Sequence, residues 1–374
     1  MKSLHTLGFL LCLLFLLFSN NVSAANQDSP GLPLSEDSSD TKKGFLGLPL
    51  FYYTPDTRFA FGGLGVYYFK IDGDSGNSTR LSYSKLLIDY TQNRQLDVWG
   101  SWNIFLKDEK FFLKGEVRYR NFPDKFYGIG NRTEDGEMER YDYNLVSFKK
   151  LVLRKVKPHL FMGADMQMIY TYKYHIESDR KLASGQVTGA DGGLTSGLGL
   201  VSLYDSRDNV VYPMEGRFFE VSSYFYGGYL GSEFRYTNVN VTYNYYINVF
   251  KRAVIATNSV ANFNFGNPSF IAMAFAGNDD ILRGYARNRY RDHNFIGTQV
   301  EFRTPLFWRI GMACFAGVGD VFNQFDDVRF NTLKYSYGAG LRYTVNKKEH
   351  LNLRFDYGFG RGQSGFYIMI AEAF

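Results

Sequence analysis

One stretch near the end of the chain, Ile281 to Asn294, concentrates residues that form strong polar contacts. It reads ILRGYARNRYRDHN and carries four arginines and two tyrosines without apolar periodicity, although the segments on both sides alternate cleanly. A guanidinium group forms two parallel hydrogen bonds to a carboxylate, so the stretch is suited to directional ion pairing. The alternative interpretation is an ordinary basic loop in water.

Two other segments resemble ligand-binding motifs but lack the required context. GRGQSG (360–365) matches the phosphate-binding pattern G-x-G-x-x-G, yet strand-like segments flank it on both sides where a helix should follow. DGDSGN (72–77) resembles half of a calcium loop, but Tyr83 stands where the twelfth residue should be Glu. We interpret both as loops and expect neither a cofactor nor a metal.

Histidine and cysteine usage argues against catalysis. The sequence has no H-E-x-x-H and no G-x-S-x-G, and Cys314 is the only cysteine after the first 24 residues. Some barrel enzymes use Ser-His or Asp-His sites near the outer rim, and His175, His293 and Asp292 lie near expected outer loops. Most such residues are plain loop residues, so we expect the protein not to be an enzyme.

The beginning of the chain predicts export. A basic residue precedes an apolar run from Leu7 to Phe18, and small residues end at Ala24, as in a signal peptide. The next residues are rich in Ser, Asp, Asn and Pro, which is typical of a flexible tail. The expected division is a signal peptide at 1–24, a flexible periplasmic tail at 25–46 and a transmembrane domain at 47–374.

Composition and alternation together predict an all-β membrane protein. Aromatic residues make up 18% of the chain, glycines number 38 and the mean hydropathy is −0.26. Segments such as FFLKGEVRYR (111–120) place apolar and polar residues on opposite faces. These runs reach about ten residues, enough for a tilted strand to cross a bilayer, so we favour a barrel over a soluble sandwich. The formal charge of +5 is too small to suggest nucleic-acid binding.

The alternating pattern contains about sixteen strands, from a short first strand at 48–53 to a last strand at 364–374. Connections such as 305–309 are tight turns, whereas others, above all 266–295, are long. Short periplasmic turns and longer outer loops are typical of bacterial barrels. The basic stretch therefore falls in the longest outer loop, between the eleventh and twelfth strands.

Four motifs, in this order, resemble the BamA/TamA superfamily of outer-membrane assembly and translocation barrels. YDSRDNVVYPMEG (204–216) resembles the periplasmic turn, LRGY (282–285) the invaginating loop, and GTQVEFRTPL (297–306) and FAGVGDVF (315–322) the two strands after the loop. The resemblance implies an all-β transmembrane antiparallel β-barrel of about 16 strands with an inward-folded loop between strands eleven and twelve. The turn motif comprises Arg207, Asp208, Asn209, Pro213 and Gly216.

The resemblance further implies that Arg283, with Gly284 and Tyr285, reaches the inner wall of the barrel. Glu301 shares a strand face with Gln299 and Arg303, opposite Val300 and Phe302, which predicts that Glu301 points inward. We expect Glu301 alone to pair with the arginine.

Two residues on the following strand complete this site. Phe315 shares the predicted inner face and is placed for a cation–π contact with Arg283. The family usually has an acidic residue where this chain has Gly317. Asp320 is close but has the opposite parity unless a bulge intervenes, which would make it the alternative partner of Arg283. The ion pair is therefore expected to be weaker than in related barrels.

The final segment, GFYIMIAEAF, resembles the C-terminal signal by which bacterial barrels are recognised for assembly. Its apolar face is formed by Phe366, Ile368, Ile370 and Phe374, and Glu372 interrupts it. The resemblance implies that the barrel-assembly machinery inserts this protein. The alternative is an ordinary last strand.

Function follows from the resemblance as two hypotheses. Assembly and secretion members carry periplasmic POTRA domains that bind client chains, and the residues before Gly47 are too few for one. We therefore expect a protein-insertion or translocation barrel in the bacterial outer membrane, in contact with its lipids, whose partner subunit supplies client binding. Pro49 removes a hydrogen-bond donor from the first strand, so the seam with the last strand should be weak. The second hypothesis is a passive channel or structural scaffold.

Overall fold

The computed structural model describes residues 43–54, 58–71, 82–92, 94–106, 110–210, 212–250, 252–278, 280–346, 351–370 and 372–374. The predicted signal peptide and nearly all of the predicted tail lie outside these residues, as does the 72–77 segment. None of the helices in this part of the chain has the length and hydropathy needed to span a membrane.

Sixteen antiparallel strands form one sheet in the described residues, and each is hydrogen-bonded to its neighbours in chain order. They are β1 (Lys43–Thr54), β2 (Arg58–Phe69), β3 (Ser82–Thr91), β4 (Leu96–Leu106), β5 (Phe111–Phe126), β6 (Glu139–Lys157), β7 (Leu160–Ile176), β8 (Gly193–Asp205), β9 (Gly216–Tyr226), β10 (Arg235–Phe250), β11 (Ala253–Asn267), β14 (Asn294–Phe307), β15 (Ile310–Phe322), β16 (Lys334–Asn346), β17 (Leu351–Gly360) and β18 (Gln363–Ile370). The predicted all-β antiparallel class is confirmed.

The long connection between β11 and β14 contains a small hairpin of its own. Its strands, β12 (Ala274–Ala276) and β13 (Tyr290–Asp292), pair only with each other. The loop is therefore ordered, and it falls between the eleventh and twelfth strands of the sheet, as predicted. Four short 3₁₀ turns, at Asp135–Glu137, Leu182–Ser184, Gly228–Leu230 and Phe325–Asp327, lie in other connections.

The two faces of the sheet differ as the alternation requires. On β14 the outward Val300 is exposed, whereas the neighbouring Gln299 and Glu301 are fully buried on the inside. Large apolar side chains such as Phe61 and Leu200 are exposed on the outer face of other strands. An apolar outer face and a polar interior are the arrangement of a membrane-spanning barrel.

The first and last strands depart from their predicted lengths. β1 begins at Lys43 and pairs with β2 at all twelve positions, so the predicted boundary at residue 47 falls inside a strand. The expectation of a short first strand is therefore wrong. Conversely, β18 ends at Ile370 rather than at Phe374. In the described residues no backbone pairing joins β1 to β18, so both ends of the sheet have a free edge.

Candidate functional site

The loop between β11 and β14 folds into the interior of the barrel and has an apolar core. Ile281, Leu282, Tyr285 and Tyr290 form a buried cluster with Phe295 and with residues of β12 and β15. Arg283 is also fully buried. These burials exclude the alternative of a basic loop in water, and they place a guanidinium group where solvent screens it poorly.

Arg283 binds two carboxylates from different strands. Its Nη2 donates to Glu301 on β14, and its Nη1 donates to Asp356 on β17. The guanidinium carbon also lies 3.5 Å from the ring centroid of Phe315 on β15. The expectation that Glu301 alone holds Arg283 is wrong, because the side chain spans four neighbouring strands and reaches a second acid.

These groups belong to a larger buried network. Arg303 Nε donates to Glu301 at 2.7 Å, and Arg342 contacts both Glu301 and Asp356. Each carboxylate therefore faces more than one guanidinium, which compensates for its loss of hydration. The arginine network contains four cations and four acids: Arg283, Arg303, Arg342, Arg354, Asp280, Glu301, Asp356 and Glu372.

Glycines let the loop backbone lie directly on the wall. A Cβ on Gly358 would be 2.8 Å from the carbonyl carbon of Arg283, closer than side chains tolerate. Gly284 has φ of 111° and approaches the backbone of Phe359, so both its conformation and its contact favour glycine. The G in the LRGY motif therefore has a steric reason.

The loop is also fastened to the last hairpin, β17–β18. Gly284 N donates to the hydroxyl of Tyr367 at 2.8 Å, and Ala286 N donates to Gln363 at 3.0 Å. Tyr285 donates to the carbonyl of Tyr335 and accepts from the amide of Arg361. Burial raises the pKa of Tyr285, so its hydroxyl remains a neutral donor.

Outer loops cover the inward loop. Arg289 donates to Thr133 and forms an ion pair with Asp135 at 2.7 Å, both in the β5–β6 connection. Gly130 N donates to the carbonyl of Arg291 in the same region. These contacts link the loop to the outer end of the barrel.

Asp320 was a predicted alternative partner for Arg283, and the structure places it elsewhere. Its carboxylate is bonded to Lys334 Nζ at 3.1 Å and to Asn131 at 3.3 Å. Gly317, on the inner face of β15, provides no acid. The second carboxylate comes instead from Asp356 on β17, two strands away.

The turn between β8 and β9 holds the predicted motif together by local hydrogen bonds. Arg207 forms a bidentate pair with Asp205, at 2.8 and 2.9 Å, and packs over Phe218. Asp208 accepts from the amides of Asn209, Met214 and Glu215. Asn209 accepts from Tyr212 N, Pro213 is buried, and Gly216 has φ of 107°.

The residues after β18 turn into the barrel. Glu372 Oε2 accepts from Arg342 at 2.8 Å, and its other oxygen accepts from Asn352. Phe374 packs against the cluster of Tyr246, Val254 and Ala256, and its carbonyl accepts from Arg303 at 3.0 Å. The prediction that Phe374 continues the outward apolar face is wrong, because the charge of Glu372 favours the inner network over lipid.

The structure describes only some of the other side chains in the predicted C-terminal signal. Phe366 is exposed on the outer face, as predicted. Ile368 and Ile370 lie in β18, but their side chains are outside the described residues. The role of this segment as an assembly signal stays a prediction.

The rim histidines have acidic neighbours. His175 Nδ1 lies 2.7 Å from Asp142, and His293 Nδ1 lies 3.4 Å from Asp292. Burial raises the pKa of Asp292. Within the described part of the chain, no group of three or more His, Cys, Asp or Glu residues is arranged to hold a metal ion.

Sequence reasoning missed several residues of the arginine network: Arg303, Arg342, Arg354, Asp280, Asp356 and Glu372. Strand parity already placed Arg342, Arg354 and Asp356 on inner faces. A search for charged residues on those faces would have found these three residues.

A comparison with protein-family models identifies one family. Residues 46–374 match the Omp85 superfamily domain. A comparison with curated protein sequences found no match.

Solved structures show the same fold at low sequence identity. BamA from Haemophilus ducreyi lacking POTRA domains 1–3 aligns with a TM-score of 0.57 and 13% identity, over 87% of this chain and 69% of that one. CdiB from Acinetobacter baumannii aligns with 0.53 and 10%, and CdiB from Escherichia coli with 0.57 and 9%. In both, the alignment covers 87% of this chain and 59% of CdiB. This likeness confirms the predicted barrel class.

Proposed function

Because the chain belongs to the Omp85 superfamily, we propose that it acts in the bacterial outer membrane to insert or translocate other proteins at the seam between β1 and β18. The observation that supports this proposal is the pair of free strand edges. A strand edge exposes unpaired N–H and C=O groups and is a template for another strand. A client hairpin would add to these edges and leave toward lipid.

The inward loop has a sealing role in this proposal. An open barrel of this strand number would conduct ions steadily. The loop lies in the interior, where the arginine network and the β5–β6 connection hold it, so we take the seam as the route for a chain. Client capture would come from a partner subunit with a periplasmic client-binding domain, and the protein would not be an enzyme.

The test begins with the complex purified from native membranes in mild detergent and reconstituted into vesicles. An unfolded outer-membrane protein is added, and its conversion to a protease-resistant, heat-modifiable barrel is followed. We expect faster conversion than in vesicles that hold an unrelated barrel of similar size. Equal conversion, with steady ionic conductance through the complex, would overturn the proposal in favour of a passive channel.

A further inference from the structure

We propose that the turn end of the barrel carries a binding surface for anionic phospholipid head groups. The surface, here called the basic aromatic rim, is formed by Val249, Phe250, Arg252, Leu306, Phe307, Trp308 and Arg309. This inference rests on the proposed membrane location and not on the client-insertion activity. The two turns involved are neighbours because β11 pairs with β14.

The rim exposes large apolar side chains at turn tips, where polar residues are usual. Trp308 is 72% exposed, Phe307 69% and Phe250 63%. Most of each side chain is exposed, so packing within the described residues does not explain why these positions are large and apolar. These residues are therefore suited to an environment that is apolar on one side and aqueous on the other.

The backbone conformation of Trp308 is a second reason to assign this residue to an interfacial environment. Its φ is 51°, in the left-handed region that glycine and asparagine adopt readily and bulky residues rarely do. A tryptophan at this position costs folding energy that glycine would not. Its ring has an edge contact with Tyr343, at 6.1 Å between centroids, and the Arg309 guanidinium lies 5.8 Å from it, yet the side chain stays 72% exposed. Packing in the described part of the chain therefore does not explain the tryptophan.

The rim continues the membrane-facing surface of the barrel. On β14 the outward Val300 is exposed, and Leu306, in the bulge where the strand ends, is exposed as well. On β10 Ile247 is exposed, and so is Val249 in the bulge at the end of that strand. The apolar patch therefore leads from the lipid-facing wall to the turns, where interfacial aromatic residues are enriched.

Charge indicates which lipid the rim binds. Five tight turns, at 107–110, 155–159, 250–253, 305–310 and 346–350, hold nine Lys or Arg and three acidic residues, Asp108, Glu109 and Glu349. Arg252 is exposed, and the guanidinium of Arg309 lies 5.8 Å from the Trp308 ring while donating to the carbonyl of Thr344. Cations beside interfacial aromatics attract anionic head groups. We favour a lipid over a protein partner because the exposed residues of the rim follow directly on the exposed apolar residues of β10 and β14.

The experiment uses tryptophan fluorescence of the full chain in vesicles with brominated lipids. The chain has three tryptophans: Trp99 faces the interior, and Trp102 has the opposite parity and faces lipid. The Trp308→Gly variant, which suits the left-handed backbone, isolates the Trp308 signal by difference. We expect brominated phosphatidylglycerol to quench Trp308 more strongly than brominated phosphatidylcholine does. The apparent affinity for phosphatidylglycerol should be higher by roughly fivefold for each arginine of the rim.

Two variants decide between the outcomes. Arg252→Gln combined with Arg309→Gln should abolish the preference, whereas Arg329→Gln, in the β15–β16 loop at the other end, should keep it. Equal quenching of Trp308 by both lipids overturns the rim proposal. If Trp102 is quenched in the same experiment, the proposed membrane location still holds. Absence of Trp308 quenching while Trp102 is quenched overturns it in favour of a protein partner.

Discussion

The two free edges of the sheet are supported in different ways. On the β18 side, the wall from β14 to β18 is held by the inward loop through the arginine network and through Tyr367 and Gln363. On the β1 side, the inner wall is held by apolar packing among Leu50, Leu64 and Val66, with Leu87 and Trp99 beyond them. Side chains on the β18 side are tied to the loop by directional polar bonds, whereas on the β1 side the inner side chains make apolar contacts and backbone pairing joins β1 to β2.

This difference indicates which edge moves when the seam opens. Directional ion pairs fix distances and angles, and they lose much of their energy when geometry changes. Apolar contacts depend mainly on area removed from water, so they change gradually with small displacements. Under the proposed function, we infer that β1 and its neighbours move while β18 stays in place.

Removing the guanidinium group of Arg283 should abolish the support that the inward loop gives to the β18 edge. Arg283→Ala leaves Glu301 and Asp356 with fewer cations in a buried site, which costs about 3–5 kcal/mol. We expect a lower yield of heat-modifiable barrel and, in the molecules that do fold, a larger ionic conductance. The control is Arg329→Ala, an arginine in an exposed outer loop. Unchanged yield and conductance would show that the loop does not brace the wall.

A steric change should displace the loop without altering any charge. Gly358→Ala places a Cβ 2.8 Å from the Arg283 carbonyl carbon, which we expect to cost about 1–3 kcal/mol through overpacking. Gly100→Ala on β4 is the matched control, because its nearest neighbouring atom would be 3.8 Å away. Thermal unfolding of both variants in detergent measures the difference. Equal unfolding temperatures would contradict the close approach of the loop.

Neutralising Glu372 should release the residues after β18. Glu372→Gln removes the ion pairs with Arg342 and Arg303, at a cost of about 1–3 kcal/mol. In a Cys314→Ser background, Phe374→Cys then reports release through its rate of reaction with a thiol reagent. We expect Glu372→Gln to raise this rate, and Glu134→Gln, an exposed loop acid, to leave it unchanged. A rate that Glu372→Gln leaves unchanged would mean that the ion pairs of Glu372 do not hold the residues after β18 in place.

The smallest effect is expected at the bond between the loop and the last strand. Tyr367→Phe removes the acceptor of Gly284 N and should cost about 1 kcal/mol. Hydrogen exchange of the Gly284 amide should accelerate, whereas Tyr357→Phe, on the outer face, should not change it. Protection that survives in the Tyr367→Phe variant would show that the hydroxyl is dispensable.

Strand parity made most of the fold and part of the site predictable from sequence. Alternation located the strands and the gap that holds the loop, and it placed Glu301 and Phe315 on the inner face. It did not identify Asp356 as a partner of Arg283, because that requires the register across β14 to β17. Asp356 faces Gly340, and Glu301 faces Phe315, and no local pattern encodes this sequence of pairings.

Two other features were not predictable for different reasons. The loop has an apolar core without periodicity, because Leu282 and Tyr285 pack against a wall made by distant strands. The inward turn after Ile370 depends on arginines of β14 and β16 that attract Glu372. Local alternation favoured a continued strand, and tertiary electrostatics prevailed.

Glu301 connects the two ends of the molecule. It accepts from Arg283 in the loop that descends from the outer side, and from Arg303, which also binds the Phe374 carbonyl near the turn side. A series of contacts through three planar groups, those of Arg303, Glu301 and Arg283, therefore joins Phe374 to the backbone of the loop. We infer that displacing Phe374 would shift the loop through these side chains, without any strand having to slide.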